Sequence, residues 1–355
     1  MFCIPDTMLA CQIVEFKKPY EVRQVPVAKH LKPHEILIKV AVASFCHTDF
    51  MVLEGLTRAP LPLIPSHEGA GTVALVGSSV ERFQPGMRVL GHLVSDLCGK
   101  CPECRGPEGC RQYCDNIGAA PGLSRDGAFA EYMIVDSRTA ALLPDSLPFK
   151  TAAPLACGGC TIWRGVMESG VKGGGWLALV GSGGGLGHIG IQLAKTLGMY
   201  VIGIDARDEG LALSAKVGAD IVLDARKGKT AVLDEVLRAT GGRGVDATLN
   251  VSDHPEAAET AATITKKHGT MIQIAQPANV SISFQHLVFR DVRVQGSLMC
   301  SPQEFTKMID FVANNQIFVE IGVYRGLYEV PRLAEDAKSG RLVGKGVVII
   351  DENQT

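Results

Sequence analysis

The stretch from Trp176 to Ala275 constrains this chain most. Five apolar segments, Trp176–Gly181, Tyr200–Asp205, Asp220–Asp224, Asp246–Val251 and Gly269–Ala275, alternate with helical patterns near 187–197, 208–217, 230–239 and 255–264. Parallel neighbours need a crossover that a helix fills, so this rhythm predicts an α/β architecture with a doubly wound parallel sheet. Between the first strand and the first helix runs Val180-Gly181-Ser-Gly-Gly184-Gly185-Leu-Gly187. Glycines there let the chain turn sharply and let backbone N–H groups at a helix start approach a pyrophosphate. A glycine motif alone is weak evidence; the strand before it and the helix after it strengthen this one.

Asp205 ends the second strand of the series, 18 residues beyond Gly187. A carboxylate at that strand end accepts from adenosine ribose hydroxyls and repels a 2′-phosphate, which favours NAD over NADP. Arg207 argues the other way, because a guanidinium pairs with phosphate. Asp205 carries more weight, since it occupies the strand end itself.

The first 150 residues read as mostly β. Ile36–Ala43, Gly71–Gly77 and Phe129–Val135 are strand-like, and Pro60, Pro62, Pro65, Pro85-Gly86 and Pro121-Gly122 mark turns. After Gly296 a helix is expected over Pro302–Ala313 and a last strand over Lys345–Ile350. This organisation gives a β-rich domain over 1–156 with a cysteine lobe at 95–116, a dinucleotide-type domain over 157–295, and a return to the first domain over 296–355. Of the 355 residues, 46% are hydrophobic and 20% charged, enough for a core and too apolar for disorder. The formal charge of −2 gives no reason to expect a nucleic acid or an anionic membrane as partner. Gly173–Ala194 lacks Asp, Glu, Lys and Arg, yet its glycines and His188 make it a buried strand–turn–helix and not a membrane span. Met1–Tyr20 shows no basic start followed by an apolar run, so a cytoplasmic protein is expected.

Eleven cysteines in such a chain point to metal or catalysis before disulfides. Cys98-Gly-Lys-Cys101-Pro-Glu-Cys104 makes two successive C-x-x-C steps, with Cys110 and Cys114 following. Four thiolates form a closed structural zinc site with no open position for substrate. Cys114 is favoured as the fourth ligand, and Cys110 is left as a spare thiol. A second set lies elsewhere: Cys46 in Ser44-Phe-Cys-His-Thr-Asp49, His67 in Pro65-Ser-His-Glu-Gly69, and Cys157 in Ala153-Pro-Leu-Ala-Cys-Gly-Gly159. Two Cys and one His are the three-ligand set of a catalytic zinc that keeps its fourth position free. Any one of them alone would more often be structural, a buried cysteine being usually a small hydrophobe.

With these motifs in order the sequence resembles a zinc-dependent alcohol dehydrogenase of the medium-chain dehydrogenase/reductase superfamily, nearest its yeast and fungal branch. The resemblance spans nearly the whole chain, from Cys46–Asp49, His67–Gly71 and Asp126–Phe129 through Pro154–Cys157 and the glycine turn to Gly340–Gly346. It implies a GroES-like catalytic domain beside a Rossmann domain, two zinc ions per chain, NAD, and a homotetramer, with a dimer as runner-up. It further implies Cys46, His67 and Cys157 as catalytic zinc ligands, and Glu68 as an alternative ligand when the substrate site is empty. Asp49 would orient the ligating histidine, a contact that fixes tautomer and basicity. Thr48 would touch the substrate oxygen and begin proton export. The family register of the glycine turn is G-x-x-G-G-x-G, that is Gly181, Gly184, Gly185 and Gly187. His47 and Lys345 would meet the pyrophosphate, and Leu186, Val251 and Ser297 complete the cofactor-facing set. The implied reaction is hydride transfer between NAD(H) and a primary or secondary alcohol or its aldehyde, with zinc as Lewis acid.

Two departures stand out. Many relatives finish the proton relay with a histidine three residues after the Thr; here that position is Met51, which carries no proton. Yeast-type relatives also line a narrow ethanol pocket with two tryptophans. Here the matching stretches are Leu56–Ala59 and Val94, the loop between Asp49 and His67 is two residues shorter, and the only tryptophans are Trp163 and Trp176. Smaller walls favour bulkier, branched or aromatic substrates. The competing readings are an NADP-dependent aldehyde reductase of the same superfamily, a zinc-free quinone or enoyl reductase, and a non-enzymatic redox or nucleotide sensor with structural zinc only. If solvent takes the proton in place of the missing histidine, Met51→His speeds alcohol oxidation mainly below neutral pH. An unchanged pH–rate profile for that variant counts against the idea.

Overall fold

The structure, a computed structural model, describes residues 4–354; the first three residues, Cys3 among them, and Thr355 lie outside it. The chain divides into two compact units. One holds the chain up to Gly158 together with Cys300–Asn314 and Ile321 onward, and the other holds Gly159–Met299 and Asn315–Glu320.

The first unit begins with strands β1 (Thr7–Gln12) and β2 (Glu21–Pro26), which pair antiparallel as a separate ribbon. Then come β3 (Glu35–Ser44), β4 (Glu68–Val76), β5 (Arg88–Leu90), β6 (Tyr132–Asp136) and β7 (Ala141–Leu142). The second unit supplies β8 (Trp176–Val180), β9 (Tyr200–Asp205), β10 (Ile221–Asp224), β11 (Val245–Asn250), β12 (Thr265–Gln273) and β13 (Arg293–Gly296). The chain closes with β14 (Ile321–Arg325) and β15 (Lys345–Ile349) in the first unit.

In the first unit β3 is the organising strand. Nine of its ten residues are buried, because it is paired antiparallel with β4, β6 and β15 at once. A run so flanked must be apolar on both faces, and Ile36, Leu37, Ile38, Val40 and Val42 meet that demand. The sheet runs β14-β15-β3-β4-β5-β7 with β6 on β3. Its core gathers Phe45, Leu63, Ile64, Phe83 and Phe129.

In the second unit all six strands are parallel, in the order β10-β9-β8-β11-β12-β13. Counted within the unit this is 3-2-1-4-5-6, the doubly wound arrangement whose strand order reverses between β8 and β11. The glycine turn leaves the carboxyl end of β8 at that reversal. Gly181 sits at φ +89°, a conformation glycine tolerates best, and a Cβ on Gly183 would fall 2.0 Å from the carbonyl oxygen of Gly210. That close approach lets the helix Asp208–Lys216 lie against the turn.

The domain limits differ from the sequence reading in three places. Residues 157 and 158 belong to the first unit, where the short turn Ala153–Ala156 packs beneath β3 and β4. Residues 296–299 and 315–320 belong to the second. The strand expected at 269–275 begins four residues earlier and ends at Gln273. Among the described residues no helix is long and apolar enough to cross a membrane.

Candidate active site

The metal-ligand candidates of the first unit meet because two strand ends are tied together and a short turn is brought against them. β3 ends at Ser44, and Cys46 caps the helix His47–Leu53 from an extended backbone at φ −118°, ψ 156°. Asp49, the third residue of that helix, turns its carboxylate back to accept from the Cys46 N–H at 2.9 Å. Its second oxygen accepts from the Ser66 N–H, also at 2.9 Å. Ser66 takes a positive φ of 69° and donates its hydroxyl to the Ser44 carbonyl at 2.8 Å. The chain is thereby reversed so that His67 and Glu68 face Cys46. Cys157 arrives from the turn Ala153–Ala156, and its Sγ lies 3.8 Å from that of Cys46.

The ligating atoms of Cys46, His67, Glu68 and Cys157 all lie within 4.8 Å of one another. Two sulfurs about 2.3 Å from a common tetrahedral centre stand about 3.8 Å apart, so this separation fits a shared ion. His67 is fully buried, yet neither ring nitrogen has a hydrogen-bond partner. A buried imidazole left so is costly unless a ligand completes it. Burial alone would lower the His67 pKa, but the Cys46 sulfur, Asp49 and Glu68 outweigh it and raise it to about 9. The hydrogen bond from Cys157 holds Cys46 well below the usual thiol range, while Cys157 is pushed well above it. The site demands positive charge, and its donor set suits zinc.

Asp49 does not do what the resemblance implied. It orients the histidine through the backbone, by holding the Cys46 and Ser66 amides, and His67 Nδ1 has no partner on it. Burial pushes the Asp49 carboxyl up to about 7. The Cys46 thiol donates to the Thr48 hydroxyl at 3.6 Å, and His47 is exposed at the start of its helix.

Lys345, expected at the pyrophosphate, is buried inside the first unit. Its ammonium lies 2.9 and 2.7 Å from the two oxygens of Glu68 and donates to the Phe45 carbonyl at 2.8 Å. Glu68 also accepts from the Gly158 N–H at 3.1 Å. Burial raises the Glu68 pKa and Lys345 opposes it; burial would lower that of Lys345, and Glu68 with the two sulfurs overturns this.

The cysteine lobe brings Cys98, Cys101, Cys104 and Cys114 together and leaves Cys110 outside the group. The sulfurs of Cys98–Cys114, Cys101–Cys114 and Cys98–Cys104 stand 3.6, 3.8 and 3.9 Å apart, again the spacing of thiolates on one tetrahedral ion. Amide N–H groups of Lys100 and Cys101 bring Cys98 down to about 6.

In the second unit a cleft of about 620 Å³ opens at the ends of β8 and β9. Gly181, Gly184, Asp205 and Val251 line it, whereas Gly185, Leu186, Gly187 and Ser297 are not on this wall. Gly187 instead closes the turn, where a Cβ would strike the Gly181 carbonyl at 2.4 Å. Asp205 accepts from the N–H groups of Gly183 at 2.9 Å, Ala206 at 2.9 Å and Arg207 at 3.1 Å. Sequence reasoning missed Gly183, Gly210 and Ser66, and also Arg226 and Lys229 on the cleft wall. The last two could have been found by reading the end of the third strand as the second was read. Ser66 leaves no signal, because its role is a backbone conformation.

Removing one partner of a buried ion pair costs about 3–5 kcal/mol. Lys345→Met should therefore lower stability by about 3 kcal/mol in denaturant unfolding of the full chain. The double variant Lys345→Met, Glu68→Gln should recover part of that loss. An additive double variant would show that the pair is not coupled.

Comparison with known proteins identifies the family. A family described as alcohol dehydrogenase GroES-like domain matches residues 32–145, and one described as zinc-binding dehydrogenase matches 185–314. An alcohol dehydrogenase of Rhizobium meliloti is 33% identical over 98% of this chain and 99% of its own length. An alcohol dehydrogenase of Schizosaccharomyces pombe is 33% identical over 96% and 98%. The crystal structure of the alcohol dehydrogenase of Aeropyrum pernix superposes with a TM-score of 0.87 at 29% identity, covering 96% of this chain and 99% of that one. The chain belongs to the zinc-type alcohol dehydrogenases of the medium-chain dehydrogenase/reductase superfamily, oxidoreductases of alcohols and aldehydes.

Proposed function

We propose that the chain oxidises primary or secondary alcohols, and reduces the matching carbonyl compounds, with NAD as hydride carrier and two zinc ions per chain. The observation that carries this reading is the fully buried His67, its ring nitrogens without partners, facing Cys46 and Cys157. Cys46, His67 and Cys157 would hold the catalytic ion, and Cys98, Cys101, Cys104 and Cys114 the structural one. Bound there, zinc supplies Lewis acidity that lowers the pKa of an alcohol. The protein's own part is positional. Asp49 fixes the two ligand-bearing loops, and the buried ammonium of Lys345 neutralises Glu68. The Thr48 hydroxyl, beside the Cys46 sulfur, is the first group placed to take a substrate proton.

NAD is favoured over NADP because Asp205 keeps its carboxylate at the cleft with three backbone N–H donors on it. A 2′-phosphate would have to displace that charge or sit against it. The positive groups nearby are engaged elsewhere: Arg226 pairs with Asp224 and Asp208, and Lys229 with Glu259. Arg207 lies 3.5 Å from Asp205 itself. An aldehyde reductase using NADP is the alternative that Arg207 keeps open.

A homo-oligomer fits the second unit's surface. The edge strand β13 has all four residues exposed, and the adjoining helix Phe284–Phe289 exposes Phe284, Val288 and Phe289 by 61%, 67% and 71%. A free edge beside an apolar patch invites pairing with a second copy.

Two measurements test the enzymatic reading. Metal analysis should find two zinc ions per chain; one or none would favour a zinc-free reductase or a sensor. A kcat/KM screen of short, branched and aromatic alcohols with both cofactors should favour NAD and tolerate bulk, and Asp205→Ala should narrow the cofactor preference about ten-fold or more, if one charge contact of ordinary strength is lost. A profile peaked sharply at ethanol would refute the wide pocket. For assembly, Val294→Lys should yield a smaller species in sedimentation velocity than the parent chain.

A further inference from the structure

His188 is the second residue of the helix Gly187–Thr196 and is fully buried. Its Nε2 accepts from the Glu320 N–H at 3.1 Å. The ring proton of the neutral imidazole therefore sits on Nδ1, which lies 2.7 Å from the Gly184 carbonyl oxygen and donates to it. In a trans peptide the C=O and the following N–H point in opposite directions. Pinning the Gly184 oxygen towards His188 thus aims the Gly185 N–H the other way, out of the glycine turn.

The far side of the imidazole holds a segment with an unusual path. Asn315–Glu320 belongs to the second unit, while the residues on both sides of it belong to the first. One helical turn beyond His188, Gln192 donates to the Phe318 carbonyl at 2.7 Å and accepts from the Phe318 N–H at 2.8 Å. Lys216 pairs with Glu320 and lies 4.6 Å from the centre of the Phe318 ring. Through the next peptide bond comes Ile321, which stands opposite Lys345 in the β14–β15 ladder. Lys345 is the partner of Glu68.

We propose that His188 is a positioning residue that couples the glycine turn to the Asn315–Glu320 segment, so that filling the turn with a dinucleotide tightens the segment and loosening the segment weakens dinucleotide binding. This rests on the reading of the turn as the cofactor site. Coupling of this kind is reciprocal, each side changing the other by the same factor. Gln192 is the clean probe, because it grips the segment and is not on the wall of the cleft.

The test uses the full-length protein with NADH as ligand, reading its Kd by fluorescence and amide hydrogen exchange over 315–320. In the parent chain NADH should slow exchange at Phe318 and Glu320. Gln192→Met should raise the NADH Kd about five-fold, the low end of ordinary coupling, and abolish that protection. His188→Asn, which keeps an amide N–H near the reach of Nδ1 but loses the acceptor for Glu320, should do the same. Should His188→Asn fail to fold, Gln192→Met decides alone. The proposal is overturned if both folded variants bind NADH within two-fold of the parent, or if NADH leaves exchange over 315–320 unchanged. A parent chain that binds neither NADH nor NADPH would overturn the cofactor reading itself, and this coupling with it.

Discussion

One buried carboxylate sets the geometry on which everything else rests. Asp49 is fully buried and accepts from two backbone amides that belong to different loops. Without it the end of β3 and the start of β4 would each have an unpaired N–H in the core, a cost of about 1–3 kcal/mol apiece. Because the two amides are those of Cys46 and Ser66, satisfying them also aims a thiol and an imidazole at the same point. The fold and the site are here the same hydrogen-bonding problem. A residue that looks from sequence like a partner for the ligand turns out to be a partner for the ligand's backbone.

Charge balance is the second constraint. Two thiols, an imidazole and a glutamate share one dry space, and Lys345 answers the glutamate from the end of β15. The consequence is a division of labour. Glu68 is neutralised by a fixed cation of the protein, which leaves the sulfurs and the imidazole to compete for a mobile one. In the second unit the same economy appears at Asp205, whose three N–H donors keep a charged group in place beside an open cleft.

How much of this could be read beforehand depends on where the information lies. The parallel strands β8 to β11 were legible within a residue at either end, since each is a short apolar run followed by an amphipathic helix. β12 was misplaced at its start, because Lys266-Lys267-His268 reads as a turn while the strand passes through it with His268 at φ 61°. β13 was missed since all four of its residues are exposed and it carries no apolar rhythm. β14 and the helix Val330–Lys338 were missed too; β14 is an edge strand paired only with β15, and just one of its five residues is buried. For the site, residue types and spacing were enough to name the side chains that converge, but Lys345 was expected at the pyrophosphate and not beside Glu68. A lysine reads as a surface charge until its partner is known to be buried.

The cysteine lobe follows a different physics from the sheets that carry it. Its interior is little more than Cys101, Cys104 and Cys114, with Leu97 and Cys98 leaning on them, and its helical pieces are the single turn Pro102–Arg105 and the short 3₁₀ segment Glu108–Tyr113. So small a set of apolar atoms cannot offset the entropy of ordering the loop, so under the proposed structural zinc the lobe's persistence would rest on coordination chemistry and not on hydrophobic burial. Peroxide or a strong chelator would then act on this lobe as heat acts on a hydrophobic core, by removing what its four sulfurs hold in common.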